Sequence, residues 1–87
     1  MSENDFEKKR EYTIIVNGAQ KIVTDRHITY TEVVNLAYSV PPTGDNILFT
    51  ITYEDGPQPN PQGSLLEGQR VQIDNGMIFN VSATNKS

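Results

Sequence analysis

The nearest approach to a catalytic pair in this chain is Asp25 with His27. Two residues apart on an extended segment, their side chains fall on one side, where a carboxylate can orient an imidazole for proton transfer. Such a pair needs a nucleophile, and the 87 residues contain no cysteine. That absence removes thiolate nucleophiles, thiolate metal ligands, disulfides and thioester carriers together. His27 is the only histidine, so a multi-histidine metal cluster is excluded as well. The plainer reading of Asp25 and His27 is an exposed loop between a strand and a helix. Asp45, Glu54, Asp55 and Asp74 lack the spacing of a calcium loop, and carboxylates sit in turns for local reasons. Gly56, Gly63 and Gly68 are scattered as loop residues and form no phosphate-binding loop. Asn80-Val-Ser82 matches a glycosylation sequon, which has meaning only in a secreted chain. No catalytic residue, cofactor or metal is therefore expected, and the chain reads as a non-enzyme.

Charge narrows the partners. Eleven acidic against seven basic residues give a net charge of −4. Nucleic-acid binding runs on clustered cations that release counterions. The one basic cluster, Lys8-Lys9-Arg10, is flanked by Glu7 and Glu11 and reads as a solvated lead-in, so no nucleic-acid role is expected. No apolar run approaches the roughly 20 residues of a membrane span, and the N-terminus lacks the apolar segment of a signal peptide. A cytoplasmic protein that does not engage membranes is the expectation.

The elements that would position any site follow from pattern. Residues 1–10 are polar and charged, with Phe6 the only large apolar side chain besides Met1, and predict a flexible arm. Tyr12-Thr-Ile-Ile-Val16 is rich in β-branched residues and runs into Asn17-Gly18, a strong hairpin signal, with residues 20–24 as the returning strand. Thr29-Tyr-Thr-Glu32 is a capping box, and Ile28 with Val33 has the spacing of a hydrophobic staple. Val33, Leu36, Ala37 and Val40 then recur at helical spacing up to Pro41-Pro42, which predicts a helix over 30–39. Residues 47–53 alternate, with Ile47, Phe49, Ile51 and Tyr53 on one face, as a strand with one face on the core does. Residues 55–63 carry three prolines and two glycines and predict a stiff surface loop. Residues 64–68 predict a short turn that tucks one leucine inward.

Residues 70–73 and 77–83 predict two closing strands, with Val71, Ile73, Met77, Phe79 and Val81 on a common face. A three-residue loop, Asp74-Asn75-Gly76, would pair Ile73 with Met77 and Val71 with Phe79, placing Gly76 at a left-handed bulge position. The order strand, strand, helix, strand, strand, strand is that of an α+β, ubiquitin-like β-grasp: a mixed sheet of four to five strands with one helix across one face. The domain is expected over 11–83, with a flexible tail at 84–87. Tyr12, Phe49, Tyr53 and Phe79 belong to the core on this reading. Tyr30 and Tyr38, eight apart near the helix edge, are candidates for an exposed contact.

In this order, the segments resemble the bacterial ubiquitin-like proteins of the multiubiquitin type. The resemblance is carried by Tyr12-Thr-Ile-Ile-Val-Asn-Gly18, by Ile28-Thr-Tyr30 with Val33-Val34 and Leu36-Ala37, and by Phe49-Thr-Ile-Thr-Tyr53. Gly63-Ser64-Leu65, Gly68, Gly76-Met-Ile-Phe-Asn-Val81 and the Thr84-Asn-Lys-Ser87 tail complete it. The resemblance implies a protein modifier encoded beside an activating-type enzyme, a conjugating-type enzyme and a deconjugating or processing peptidase, in operons associated with defence against phage. Its C-terminus would be adenylated and passed to target proteins through Thr84, Asn85, Lys86 and Ser87. The tail departs from the usual pattern of such modifiers, because no glycine follows Gly76. Trimming to Asn85 or Thr84, enzymes that accept a non-glycine end, and loss of conjugation are the three explanations left open.

Two other roles compete. A non-covalent interaction module would use an exposed sheet face or an edge strand, with residues such as Leu48 and Ile78, on the faces opposite the core, as its anchors. A sulfur carrier of the same fold would need a terminal glycine for its thiocarboxylate, which this tail does not offer.

Overall fold

The structure is a computed structural model that describes residues 11–40 and 47–85. The expected N-terminal arm, the helix-stopping Pro41-Pro42, Asp45, and the tail residues Lys86 and Ser87 lie outside the described residues. In chain order the elements are β1 (Tyr12–Val16), β2 (Ala19–Val23), β3 (His27–Thr29), α1 (Tyr30–Ala37), β4 (Ile47–Glu54), β5 (Gly63–Leu65), β6 (Arg70–Gln72) and β7 (Ile78–Asn85). Five strands form one mixed sheet in the order β2-β1-β7-β4-β5, and β3 with β6 forms a separate two-stranded ribbon. The helix lies across one face of the sheet, as the sequence predicts for an α+β ubiquitin-like β-grasp.

The first hairpin forms as expected. Asn17 and Gly18 both take positive φ (52° and 84°), the condition for the two-residue turn whose twist matches the flanking strands. Val16 faces Ala19, and the ladder runs back to Tyr12 opposite Val23. The helix starts where its capping box places it. Thr29 Oγ1 accepts from the Glu32 N–H at 3.1 Å, and Glu32 Oε1 accepts from the Thr29 N–H at 2.9 Å. Ile28 and Val33, the two staple positions, are both fully buried. The helix ends at Ala37, two residues before the expected Ser39, because Tyr38 is already extended (φ −131°, ψ 129°) and lays its ring against Phe49.

The second half departs from the predicted pairing. β6 does not pair with β7; it pairs antiparallel with β3, with Val71 opposite Ile28. The backbone that a β6–β7 hairpin would require is taken by β1: the Gly76 N–H donates to Thr13 O at 2.7 Å, and the Ile15 N–H donates to Met77 O at 2.9 Å. Asp74 to Met77 is a turn closed by a Met77 N–H to Asp74 O bond of 3.2 Å. Gly76 has φ +88° while Asn75 does not enter the positive region, the pattern of a type II turn. The common face did form, since Ile73, Met77, Phe79 and Val81 are buried and Val71 packs against them. Alternation specifies the buried face but not the neighbour, so the same pattern served a different partner. Residues 64–65 are strand, not turn: Leu65 goes into the core at 2 % exposure and Leu66 stays out at 59 %. β7 continues to Asn85, two residues past the expected end at Ala83, because β4 runs alongside it to Ile47.

One brace joins these parts. After β1 ends, the Asn17 N–H still donates to Phe79 O at 3.0 Å. The Asn17 side chain then acts as a peptide group would: its Oδ1 accepts from the Val81 N–H at 2.8 Å, and its Nδ2 donates to Val81 O at 3.1 Å. Asn17→Gly keeps the left-handed turn and deletes both bonds, leaving partly buried backbone groups of β7 unpaired. We expect this variant to lose about 1–3 kcal/mol, read as a lower urea midpoint at unchanged slope. An unchanged midpoint would show that the brace contributes nothing.

Candidate functional site at the C-terminal strand and the open sheet face

The C-terminal strand is the centre of the sheet. β7 pairs parallel with β1 through Ile15–Ile78 and Val16–Phe79, and antiparallel with β4 along its whole length. Thr84 lies opposite Leu48 and Asn85 opposite Ile47. The first two of the four predicted tail residues are therefore part of the ladder at the end of the sheet, and the chain leaves from beside the start of β4.

Sheet parity divides the side chains. Ile14, Val16, Ile51, Phe79 and Val81 point to the helix and are buried. Tyr12, Phe49 and Tyr53 pack at the edge of that core, as expected of them. The open face carries Ile15, Ile22 and Ile78 at one end and Leu48 at the other, with Thr50, Thr52, Asn80 and Ser82 between. Ile15 and Ile78 are neighbours in the ladder. On the edge strand beside them, Ile22 is 64 % exposed. Leu48 is exposed, but it stands six residues along β4 from Glu54, the partner of Ile78. At the rise of a strand that is about 20 Å, so Leu48 and Ile78 share a face without forming one patch. Sequence reasoning missed Ile15 and Ile22, although the alternation of Tyr12, Ile14 and Val16 already assigns Ile15 to the opposite face.

Tyr30 and Tyr38 do not present their rings as expected. Tyr30 occupies the first helical position and is only 9 % exposed. Its hydroxyl accepts from the Phe49 N–H at 3.2 Å and donates to Phe49 O at 3.4 Å. It thereby occupies the stretch of β4 edge that the short β5, which pairs only at residues 51–53, does not reach. Tyr38 is half-buried, its ring 5.6 Å from that of Phe49. Both tyrosines serve the join between helix and sheet. Asp25 also has a local task, since its Oδ1 accepts from the His27 backbone N–H at 3.3 Å.

The model of the Multiubiquitin family matches residues 12–85. This chain belongs to the multiubiquitin family. It is a ubiquitin-like module, and ubiquitin-like domains are generally not enzymes. No curated protein and no solved structure matches the chain significantly. The matched stretch begins at the first residue of β1 and ends at the last of β7, so the family pattern coincides with the sheet. Among the described residues, no helix of this multiubiquitin-family chain is long and apolar enough to cross a membrane.

Tyr30→Phe removes a hydroxyl with two backbone partners and leaves an open β4 edge, whereas Tyr38→Phe removes none that bonds the backbone. We expect Tyr30→Phe to lose roughly 1 kcal/mol in denaturant titration and Tyr38→Phe to fall within error of the parent. Equal stability of the two variants would remove the edge-sealing role from Tyr30.

Proposed function

We propose that this chain is a ubiquitin-like protein modifier, whose C-terminal segment is adenylated by an activating-type enzyme and conjugated to target proteins. A conjugating-type enzyme and a processing peptidase complete the set, in a bacterial, cytoplasmic pathway of the kind that acts in defence against phage. The observation that carries the reading is the membership of the multiubiquitin family over residues 12–85. The position of β7 supports it. A modifier must hand its end to other enzymes without unfolding, and here the end grows from the strand held by neighbours on both sides.

The residues of the working end are Thr84, Asn85, Lys86 and Ser87. Residues 77–87 contain no glycine, so an activating-type enzyme that works on this segment, trimmed or not, has to accept a side chain. Trimming to Asn85 or Thr84 requires the last rungs of β7 to leave Ile47 and Leu48, because a peptidase takes its substrate as an unpaired strand. Strand ends open at small free-energy cost, which makes these rungs accessible.

A second reading is a non-covalent module that binds through the open face. The exposed Ile22 beside Ile15 and Ile78 favours it.

Intact-mass measurement decides between the two. The full-length chain, and chains ending at Thr84 or Asn85, are incubated with the activating-type enzyme of the same operon, ATP and magnesium. We expect an adenylated or trimmed form, and heavier conjugates once the conjugating-type enzyme is added. Unchanged mass in all three chains would sink the modifier reading. Partner binding that survives deletion of residues 84–87 and is lost in Ile22→Ser would establish the module.

A further inference from the structure

A groove of about 400 Å³ lies between the β3–β6 ribbon and the proline-bearing loop that follows β4. His27 and Gln72 face each other across the ribbon, and Arg70, two residues before Gln72, falls on the same side. Gln58 and Asn60 line the opposite wall, and Tyr53 lines the groove as well. The chemistry of this lining differs from the protein as a whole. The chain carries 11 acidic against 7 basic residues, yet no carboxylate lines the groove. Asp25, near in sequence, lines a separate hollow with Tyr12, Thr24 and Arg26. Among the described residues, Arg70 makes no ion pair, and the side chains of Gln58, Asn60 and Gln72 make no hydrogen bonds.

We propose that this groove binds a carboxylate carried on an extended acidic peptide of a partner protein. A guanidinium presents a planar fork that matches a carboxylate in two parallel bonds. The amides of Gln58, Asn60 and Gln72 supply neutral donors around it, and Tyr53 with Pro57 and Pro59 offers apolar contact for the peptide stem. One permanent cation balances one carboxylate. A phosphate dianion would call for more positive charge than a chain of net −4 provides at this place. The groove lies beside Tyr53, toward the Glu54 end of β4, whereas the C-terminal segment leaves at the Ile47 end. Occupation of the groove therefore leaves the conjugation end free, and the proposal stands independently of what happens there.

The test is a two-dimensional amide NMR titration of the full chain with a blocked tetrapeptide carrying one glutamate. The same peptide with glutamine, and inorganic phosphate, are the comparison probes. We expect saturable shifts centred on Asn60, Arg70 and Gln72 with the glutamate peptide alone, weakening as salt is added. Arg70 is exposed, so Arg70→Gln should keep the folded spectrum while lowering affinity roughly fivefold, the scale of a solvent-exposed charge pair. Arg70→Lys, which keeps the charge and loses the fork, should fall between. Three results would overturn the proposal: shifts confined to the open sheet face, undiminished binding in folded Arg70→Gln, or phosphate binding as tightly as the peptide.

Discussion

The short parallel pairing of β1 with β7 is the contact on which the rest of this fold depends. Only two residue pairs are in register there, Ile15–Ile78 and Val16–Phe79, and a parallel ladder of that length is weak by itself. An asparagine braces it at each end. Asn75 Oδ1 accepts from the Thr13 N–H at 2.8 Å below the ladder, and the Asn17 side chain bonds both backbone groups of Val81 above it. Each asparagine belongs to an Asn-Gly dipeptide whose glycine takes positive φ. The turn chemistry and the interstrand brace thus reside in the same two positions. Because β7 lies between β1 and β4, this joint unites the N-terminal hairpin with the β4–β5 pair in one sheet.

The helix is secured from two directions. On one side the β3–β6 ribbon leads into it, and the Tyr30 N–H, left without an intrahelical acceptor, donates to Gln69 O at 3.2 Å. On the other side the Tyr30 hydroxyl bonds the backbone of Phe49 in β4. The loop after β4 closes over Met77 by a Gly56 N–H to Pro61 O bond of 2.8 Å. A side chain on Gly56 would come within 2.8 Å of Met77 Cε and 3.2 Å of Pro61 O, so the close approach of that loop depends on glycine. These contacts give an eight-residue helix, marginal by propensity alone, a fixed place on the sheet.

The surfaces are divided along β7. Its first rungs are held by both β1 and β4, whereas its last rungs, through Thr84 and Asn85, pair with β4 alone. The open sheet face, the ribbon groove and the C-terminal end lie at separate places. The hydroxyl and amide side chains of Thr50, Thr52, Asn80 and Ser82 keep the middle of the open face wet and confine its apolar character to the ends.

Local chemistry in the sequence determined the first hairpin, the capping box with its staple, the alternation of β4, and the buried face that Ile73, Met77, Phe79 and Val81 share. Those features depend on residues within a few positions of each other, where propensity and period are decisive. The family resemblance was legible for the same reason, since it rests on the order of such segments. Tertiary structure decided which strands are neighbours. The second Asn-Gly dipeptide has the sequence of a hairpin turn, yet Asn75 and Gly76 serve β1, and β6 pairs with the distant β3, Val71 opposite Ile28. It also decided that Tyr30 is interior, because the unpaired stretch of β4 that takes its hydroxyl exists only once β5 proves too short to cover it. The ribbon groove arises in the same way: His27, Arg70 and Asn60 have no sequence proximity, and only the pairing of β3 with β6 brings them to one wall or the wall facing it.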